Sequence, residues 1–166
     1  MPDKTDIETF LAQVESHQNI VHKTSFLYSQ STSDREDLKQ EILLQLWKSF
    51  PSFEKRSNFS TWMYRVALNT AISFKRKNSS GLRQTGSDPE QTAKAQQPAN
   101  SDDLRDLHRA IAKLSKIEKA IIMQWLDERS YEEIADTMGM SVKNVSVRLV
   151  RIRNRLGQLV TEGDQT

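Results

Sequence analysis

Apolar residues return at helical spacing along almost the whole chain, and nowhere in the alternating pattern of a strand. Ile7, Phe10, Leu11, Val14, Val21 and Tyr28 fall on one stripe and predict a helix over about residues 6–30. A second helix is expected to open at Ser33, with Glu36 closing a capping box. Its buried stripe is Leu38, Ile42, Leu43, Leu46 and Phe50, with Trp47 at the edge. Pro51 stops it, and Pro51 to Asn58 (PSFEKRSN) reads as a loop. The third helix, Phe59 to about Lys77, is apolar on two sides. Phe59, Trp62, Met63, Val66 and Thr70 lie on one, and Tyr64, Leu68, Ala71 and Ile72 on the other. That pattern suits a helix packed between two neighbours.

From 78 to about 103 the pattern stops. Ser, Gln, Thr, Gly, Pro and Asn dominate and Leu82 is the only large apolar residue, which predicts a flexible linker. Helical spacing resumes with Leu104, Leu107, Ile111 and Leu114. Ser115 with Glu118 makes a capping box, and Ile117, Ile121, Ile122 and Trp125 continue the apolar side. The fold class expected is all-α, two small helical domains over 6–77 and 104–158 joined by a flexible linker, with Gly157 to Thr166 a polar tail.

The most informative stretch is Tyr131 to Leu156, YEEIADTMGMSVKNVSVRLVRIRNRL. Ser130 and Glu133 form another capping box, and Ile134, Ala135 and Met138 give the helix a short apolar side. Gly139 can take the left-handed conformation that ends it, and Ser141 caps the next. On that last helix Val142, Val145, Leu149, Ile152 and Leu156 face inward, while Lys143, Asn144, Val147, Arg151 and Asn154 face outward with Arg148 and Arg155 on the flank. Five basic residues (Lys143, Arg148, Arg151, Arg153, Arg155) and no acidic one lie on it. This is a helix-turn-helix whose second helix suits a DNA major groove, where side chains reach base edges and arginines neutralise phosphates.

Composition adds an asymmetry. The net charge is only +2 over 166 residues, yet residues 1–50 hold eight acids and five bases, while 59–77 hold four bases (Arg65, Lys75, Arg76, Lys77) and no acid. Separate surfaces for DNA and for a protein partner follow. With no cysteine, disulfides and thiolate metal sites are excluded. His17 and His22, five apart and without a further ligand, are poorly placed to chelate, so no metal or cofactor is expected. The polar N-terminus and the lack of a ~20-residue apolar run predict a cytoplasmic protein.

Two features admit more than one use. Asp37 and Glu41, at i and i+4, set two carboxylates on one helix face. With no histidine or further acid nearby, a docking face explains them better than acid–base chemistry. The interleaved aromatic and basic residues of the 59–77 helix suit packing, and also suit single-stranded nucleic acid, whose bases stack on rings while cations track phosphates.

Three stretches, DREDLKQEILLQLW, FSTWMYRVALNTA and LSKIEKAIIMQWLDERSYEEIADTMGMSVKNVSVRLVRIRNRL, together resemble the extracytoplasmic-function (ECF) subfamily of the sigma-70 factors, the small bacterial RNA polymerase sigma subunits that keep only regions 2 and 4. The resemblance covers about 6–77 and 104–158. It implies a non-enzymatic promoter-specificity subunit that binds core RNA polymerase, melts promoter DNA and starts transcription, residing at the nucleoid when in holoenzyme. Asp37, Gln40 and Glu41 would dock on the clamp helices of the largest polymerase subunit. The loop before the W-x-Y-R-x-A-x-N helix, with Phe53, Lys55 and Arg56, and then Trp62, Tyr64, Arg65 and Asn69, would read and melt the −10 element. Lys143, Asn144, Val147, Arg148 and Arg151 would read the −35 element, and region 4 would also meet the flap of the second-largest subunit. The family further implies an anti-sigma partner. The sequence departs from the family at Ser141, at Glu128 and Arg129 (in place of a glycine-containing turn), and at Val147 and Asn154.

Two other functions compete at this level. A dimeric helix-turn-helix regulator, with 1–77 as a sensor, predicts a palindromic footprint and no role for Asp37 or Glu41. A recombinase-type enzyme would need a catalytic domain, and neither a βαβ pattern nor a nucleophile–base constellation is present.

Overall fold

The computed structural model describes residues 3–80 and 102–163; the side chains of residues 75–80, and residues 81–101 of the linker expected over 78–103, lie outside the described residues, while the two ends of that expected linker, 78–80 and 102–103, are helical. The described residues form helices joined by short turns and one loop, with no strand among them, and the chain divides into two compact units, Met1–Thr92 and Ala93–Thr166.

The first unit holds α1 (Lys4–Ser16), α2 (Gln18–Tyr28), α3 (Thr32–Ser49), a 3-10 turn over Phe50–Ser52, and α4 (Phe59–Ser80). The single helix expected over 6–30 is two helices meeting at His17. No glycine or proline marks the break. His17 sits at φ −115° and ψ 21°, its amide shared between the carbonyls of Gln13 and Val14 and its Nδ1 2.9 Å from the Gln13 carbonyl oxygen. Those local bonds satisfy the end of α1, so a change of direction costs no backbone partner. An Asp3–Asp6 capping box, missed in the sequence, starts α1. Likewise α3 starts two residues before the expected Ser33–Glu36 box. Ser31 is the cap, its Oγ accepting from the Asp34 amide at 3.1 Å. Both serines have an acid three residues on, so local chemistry alone does not choose between them.

Leu38, Ile42 and Leu46 of α3, Met63, Tyr64, Ala67, Leu68 and Ala71 of α4, and Ile20, Val21 and Tyr28 of α2 make the core. Each large side chain in it contributes about 1.5–3 kcal/mol of transfer free energy. Burial pushes the Tyr28 hydroxyl's pKa far above its ordinary value.

The second unit holds α5 (Asp102–Ala112), α6 (Lys116–Leu126), α7 (Tyr131–Met138) and α8 (Val142–Gly163). Its core is Ile111, Leu114, Ile121, Ile122, Ile134, Val145, Leu149, Ile152 and Leu156. The expected inward positions Leu104, Ile117 and Val142 are 48%, 39% and 40% exposed. Each lies in the first turn or so of its helix, where the chain has not yet met its neighbours. Helix α8 runs to Gly163, into the polar tail expected from Gly157, and Thr161 Oγ1 donates to the Gly157 carbonyl at 2.8 Å.

Candidate nucleic-acid and protein interfaces

A surface helix buries one stripe, and α3 carries more apolar residues than one stripe holds. Leu38, Ile42 and Leu46 take the buried stripe. Leu43, expected beside them, is 44% exposed, as is Leu44, and Trp47 is 40% exposed. Asp37 and Gln40 are exposed, and Glu41 is half-buried, accepting from Gln45 Nε2 at 2.9 Å. Asp37, Gln40 and Leu44 follow one another at i, i+3 and i+7, so they share a face. The face predicted to be acidic is therefore mixed. Acids mark one end, and Leu43 (expected in the core), Trp47 (expected at its edge) and Leu44 supply exposed apolar area. The signal was present as the crowded run LLQLW, too apolar for a helix with one buried side.

The loop between the 3-10 turn and α4 hangs on aromatic rings. Phe53 is half-buried, with its centroid 5.0 Å from Trp62, 5.7 Å from Phe59 and 6.4 Å from Phe50. Pro51, Ser52, Glu54, Lys55, Arg56 and Asn58 are exposed. Arg56 Nε pairs with Glu54 at 2.7 Å in the open, where such a pair contributes at most about 1 kcal/mol and yields readily to another anion. Lys55 is left-handed at φ +56°, a conformation that strains a non-glycine residue. Along α4, Asn69 is exposed, and Trp62 and Arg65 are half-buried. Tyr64 corrects the sequence reading. It is 2% exposed, on the Met63–Tyr64–Ala67–Leu68–Ala71 face, so its ring has no open side on which a base could stack. The two-sided apolar pattern of this helix reflects packing at that position. Phe53 also turns inward, as an anchor of the loop.

In the second unit the helix-turn-helix has the expected local chemistry. Ser130 Oγ accepts from the Glu133 amide at 3.1 Å while Glu133 Oε1 accepts from the Ser130 amide at 3.2 Å. Gly139 ends α7 at φ +66°, and Ser141 Oγ caps α8 by accepting from the Asn144 amide at 3.1 Å. The turn before α7, where Glu128 and Arg129 depart from the family pattern, is held by other means. Glu128 takes φ +60°, and the Arg129 guanidinium donates to Thr137 Oγ1 at 3.1 Å and lies 3.8 Å from Glu133.

On α8, Lys143, Asn144, Val147, Arg148 and Arg151 are all exposed. Two other arginines of the helix serve the fold. Arg155 Nη1 donates to Glu118 Oε2 at 3.1 Å, and the Arg153 guanidinium lies 5.0 Å from the Trp125 ring centroid, a cation–π contact. Both attach α8 to α6. The amide of Ser115 first, then its hydroxyl and Arg155, hold the Glu118 carboxyl below its usual pKa range. No group of three or more His, Cys, Asp or Glu among the described residues stands together as a metal site would, and none of their helices is long and apolar enough to cross a membrane.

The sequence matches the family model for Sigma-70 region 2 over residues 13–81 and that for Sigma-70, region 4, over residues 104–156. It is 30% identical to the ECF RNA polymerase sigma-E factor of Escherichia coli K12 over 173 aligned residues, covering 95% of this chain and 89% of that protein. It is 24% identical to the RNA polymerase sigma factor SigV of Bacillus subtilis, covering 91% of this chain and 90% of that one. Among solved structures it is similar to the sigma factor RpoE in complex with the anti-sigma factor NepR from Bartonella quintana, with a TM-score of 0.70 and 23% identity over 96% of this chain and 98% of that one. It is also similar to CnrH in complex with the cytosolic domain of CnrY, with a TM-score of 0.69 and 20% identity over 93% of this chain and 89% of that one.

Proposed function

The chain belongs to the sigma-70 family of RNA polymerase sigma factors, in its ECF subfamily, and on that premise we propose how its surfaces divide the work of initiation. An ECF sigma factor binds core RNA polymerase and directs promoter-specific transcription initiation. In this chain, the α3 face of Asp37, Gln40 and Glu41, extended by Leu44 and Trp47, docks on the clamp helices of the largest subunit. The acids steer and set register, while the apolar residues add area removed from water. The loop 51–58, with Lys55 and Arg56 exposed, reads the −10 element, and α4 supports melting through Arg65 and Asn69. Trp62 and Phe53 hold the loop to α4. Lys143, Asn144, Val147, Arg148 and Arg151 read the −35 element in the major groove.

The observation that carries this division is the state of α8. Its five proposed −35 residues are all exposed, while Arg153 and Arg155 are engaged within the unit. A helix that uses some arginines to fix itself and leaves the others outward is set up to be read against. An anti-sigma factor is a further proposed partner, since one structural relative was solved with an anti-sigma factor and the other with the cytosolic domain of CnrY. Residence in the cytoplasm, at the nucleoid when in holoenzyme, belongs to the same proposal.

Run-off transcription with purified core polymerase on a genomic fragment library tests the whole. Discrete start sites that appear only with the chain added are expected, and base changes at −35 and −10 should each weaken them. No association with core, or no chain-dependent start site, overturns the proposal.

A further inference from the structure

We propose that Phe10, on α1, is a positioning residue for the loop that reads the −10 element. The inference rests on the proposal that loop 51–58 is that reader.

The 13 residues of α1 bury one side chain fully, that of Phe10, at 4% exposure. Ile7 and Val14 are half-buried and Leu11 is 57% exposed. A helix this short is marginal by itself, so its seat depends on the residue that does pack. The Phe10 ring packs at 4.8 Å from that of Phe50 and edge-on at 5.4 Å from Trp47. Phe50 opens the 3-10 turn that leads into the loop, and its carbonyl accepts from the Phe53 amide at 3.0 Å. Its ring stacks with that of Phe53 at 6.4 Å and meets Trp62 edge-on at 6.3 Å. Phe53 is the one large apolar side chain the loop possesses. A row of rings thus runs from α1 through Phe50 to the loop's anchor, and Phe10 forms its back wall.

The loop needs such a wall. It carries a left-handed lysine at Lys55, and strained backbone persists only where its surroundings over-determine it. If the Phe10 ring is lost, Phe50 gains room, Phe53 loses its fixed seat, and the exposed Lys55 and Arg56 no longer meet the DNA in one geometry. Discrimination among −10 bases should fall before opening itself fails.

The test uses full-length protein in holoenzyme. Promoter opening is followed by permanganate reactivity on an intact promoter and on versions with one −10 or one −35 base changed. The variants are Phe10→Leu, which keeps the plug apolar but removes the ring, Phe10→Ala and Phe50→Leu. The ratio of opening on intact to −10-changed templates should fall about two- to tenfold, the span that one aromatic pair is worth. The −35 ratio should not move, and because Phe10 also packs on Trp47 of the docking face, core is supplied in saturating amount so that any loss of core affinity acts equally on every template. A merely less stable protein would lower opening equally on both templates and leave the ratio intact. An unchanged −10 ratio in the Phe10 variants overturns the inference. If Phe10→Ala does not fold, Phe10→Leu decides. If Lys55→Ala and Arg56→Ala also leave that ratio unchanged, it is the loop's assignment that fails. If they lower it and the Phe10 variants do not, only the role given to Phe10 fails.

Discussion

Glu118 has two tasks that substitutions can separate. Its Oε2 accepts from the Ser115 amide at 2.8 Å, closing the cap of α6, and accepts from Arg155 Nη1 at 3.1 Å, across 37 residues of sequence. Glutamine can close a capping box but cannot form the ion pair. Glu118→Gln should therefore cost only the pair, about 0.2–1 kcal/mol with Arg155 half-exposed. Glu118→Ala should cost the cap as well, a further ~0.3–1.5 kcal/mol. In a unit of this size each kcal/mol moves Tm by about 4–8 °C, so the two variants are separable by thermal unfolding of the full chain.

A double-mutant cycle with Arg155→Met isolates the pair. The Glu118 carboxyl is held below its ordinary value near 4.5 in the folded state. Its contribution is thus complete above the unfolded value and disappears as pH falls through the lower folded value, so the coupling measured at neutral pH should vanish in acid. Arg155→Met should also leave the salt slope of −35 binding unchanged, because its guanidinium is committed to protein. If Glu118→Gln and Arg155→Met are additive at neutral pH, or if Arg155→Met lowers the salt slope by about one, the separation of structural from DNA-facing arginines on α8 is wrong.

Other expectations follow from the same surfaces. Arg148→Ala and Arg151→Ala, assayed in holoenzyme, should each weaken −35 binding by about 1–3 kcal/mol where the contact is to a base, and lower the salt slope where it is to phosphate. Val147 presents an apolar tip among polar readers, so replacing a −35 thymine by deoxyuridine should weaken binding by the wild type and not by Val147→Ala, as judged by titration against duplexes selected in vitro. Asp37→Ala with Glu41→Ala should reduce core affinity and leave folding intact, and Trp47→Ala should do the same with less salt dependence, both measurable by competition for core. Glu128→Gly should raise Tm or leave it unchanged, because it removes left-handed strain of about 1–2 kcal/mol at φ +60° while adding roughly 0.4–1 kcal/mol of unfolded-chain entropy.

Local chemistry was legible in the sequence because it depends on residues three or four apart. The caps at Ser115, Ser130 and Ser141, the left-handed Gly139, and the outward set Lys143, Asn144, Val147, Arg148 and Arg151 all lie where their spacing put them. So does the all-α class, since no segment alternates. What the spacing left open is which of two adjacent stripes is covered. Leu43 and Leu46 are equally apolar, and only the neighbouring helices decide that Leu46 is buried and Leu43 is not. Tyr64 looked like a stacking platform because aromatic and basic residues alternate around it, yet packing claims its ring. The break at His17 carried no proline or glycine, and its supports include a ring contact to Phe59 that is distant in sequence. The seat of α1 on Phe50 and the tie between Arg155 and Glu118 are likewise contacts between distant residues. Periodicity reports what a helix could bury, and only the assembled neighbours determine what it does bury.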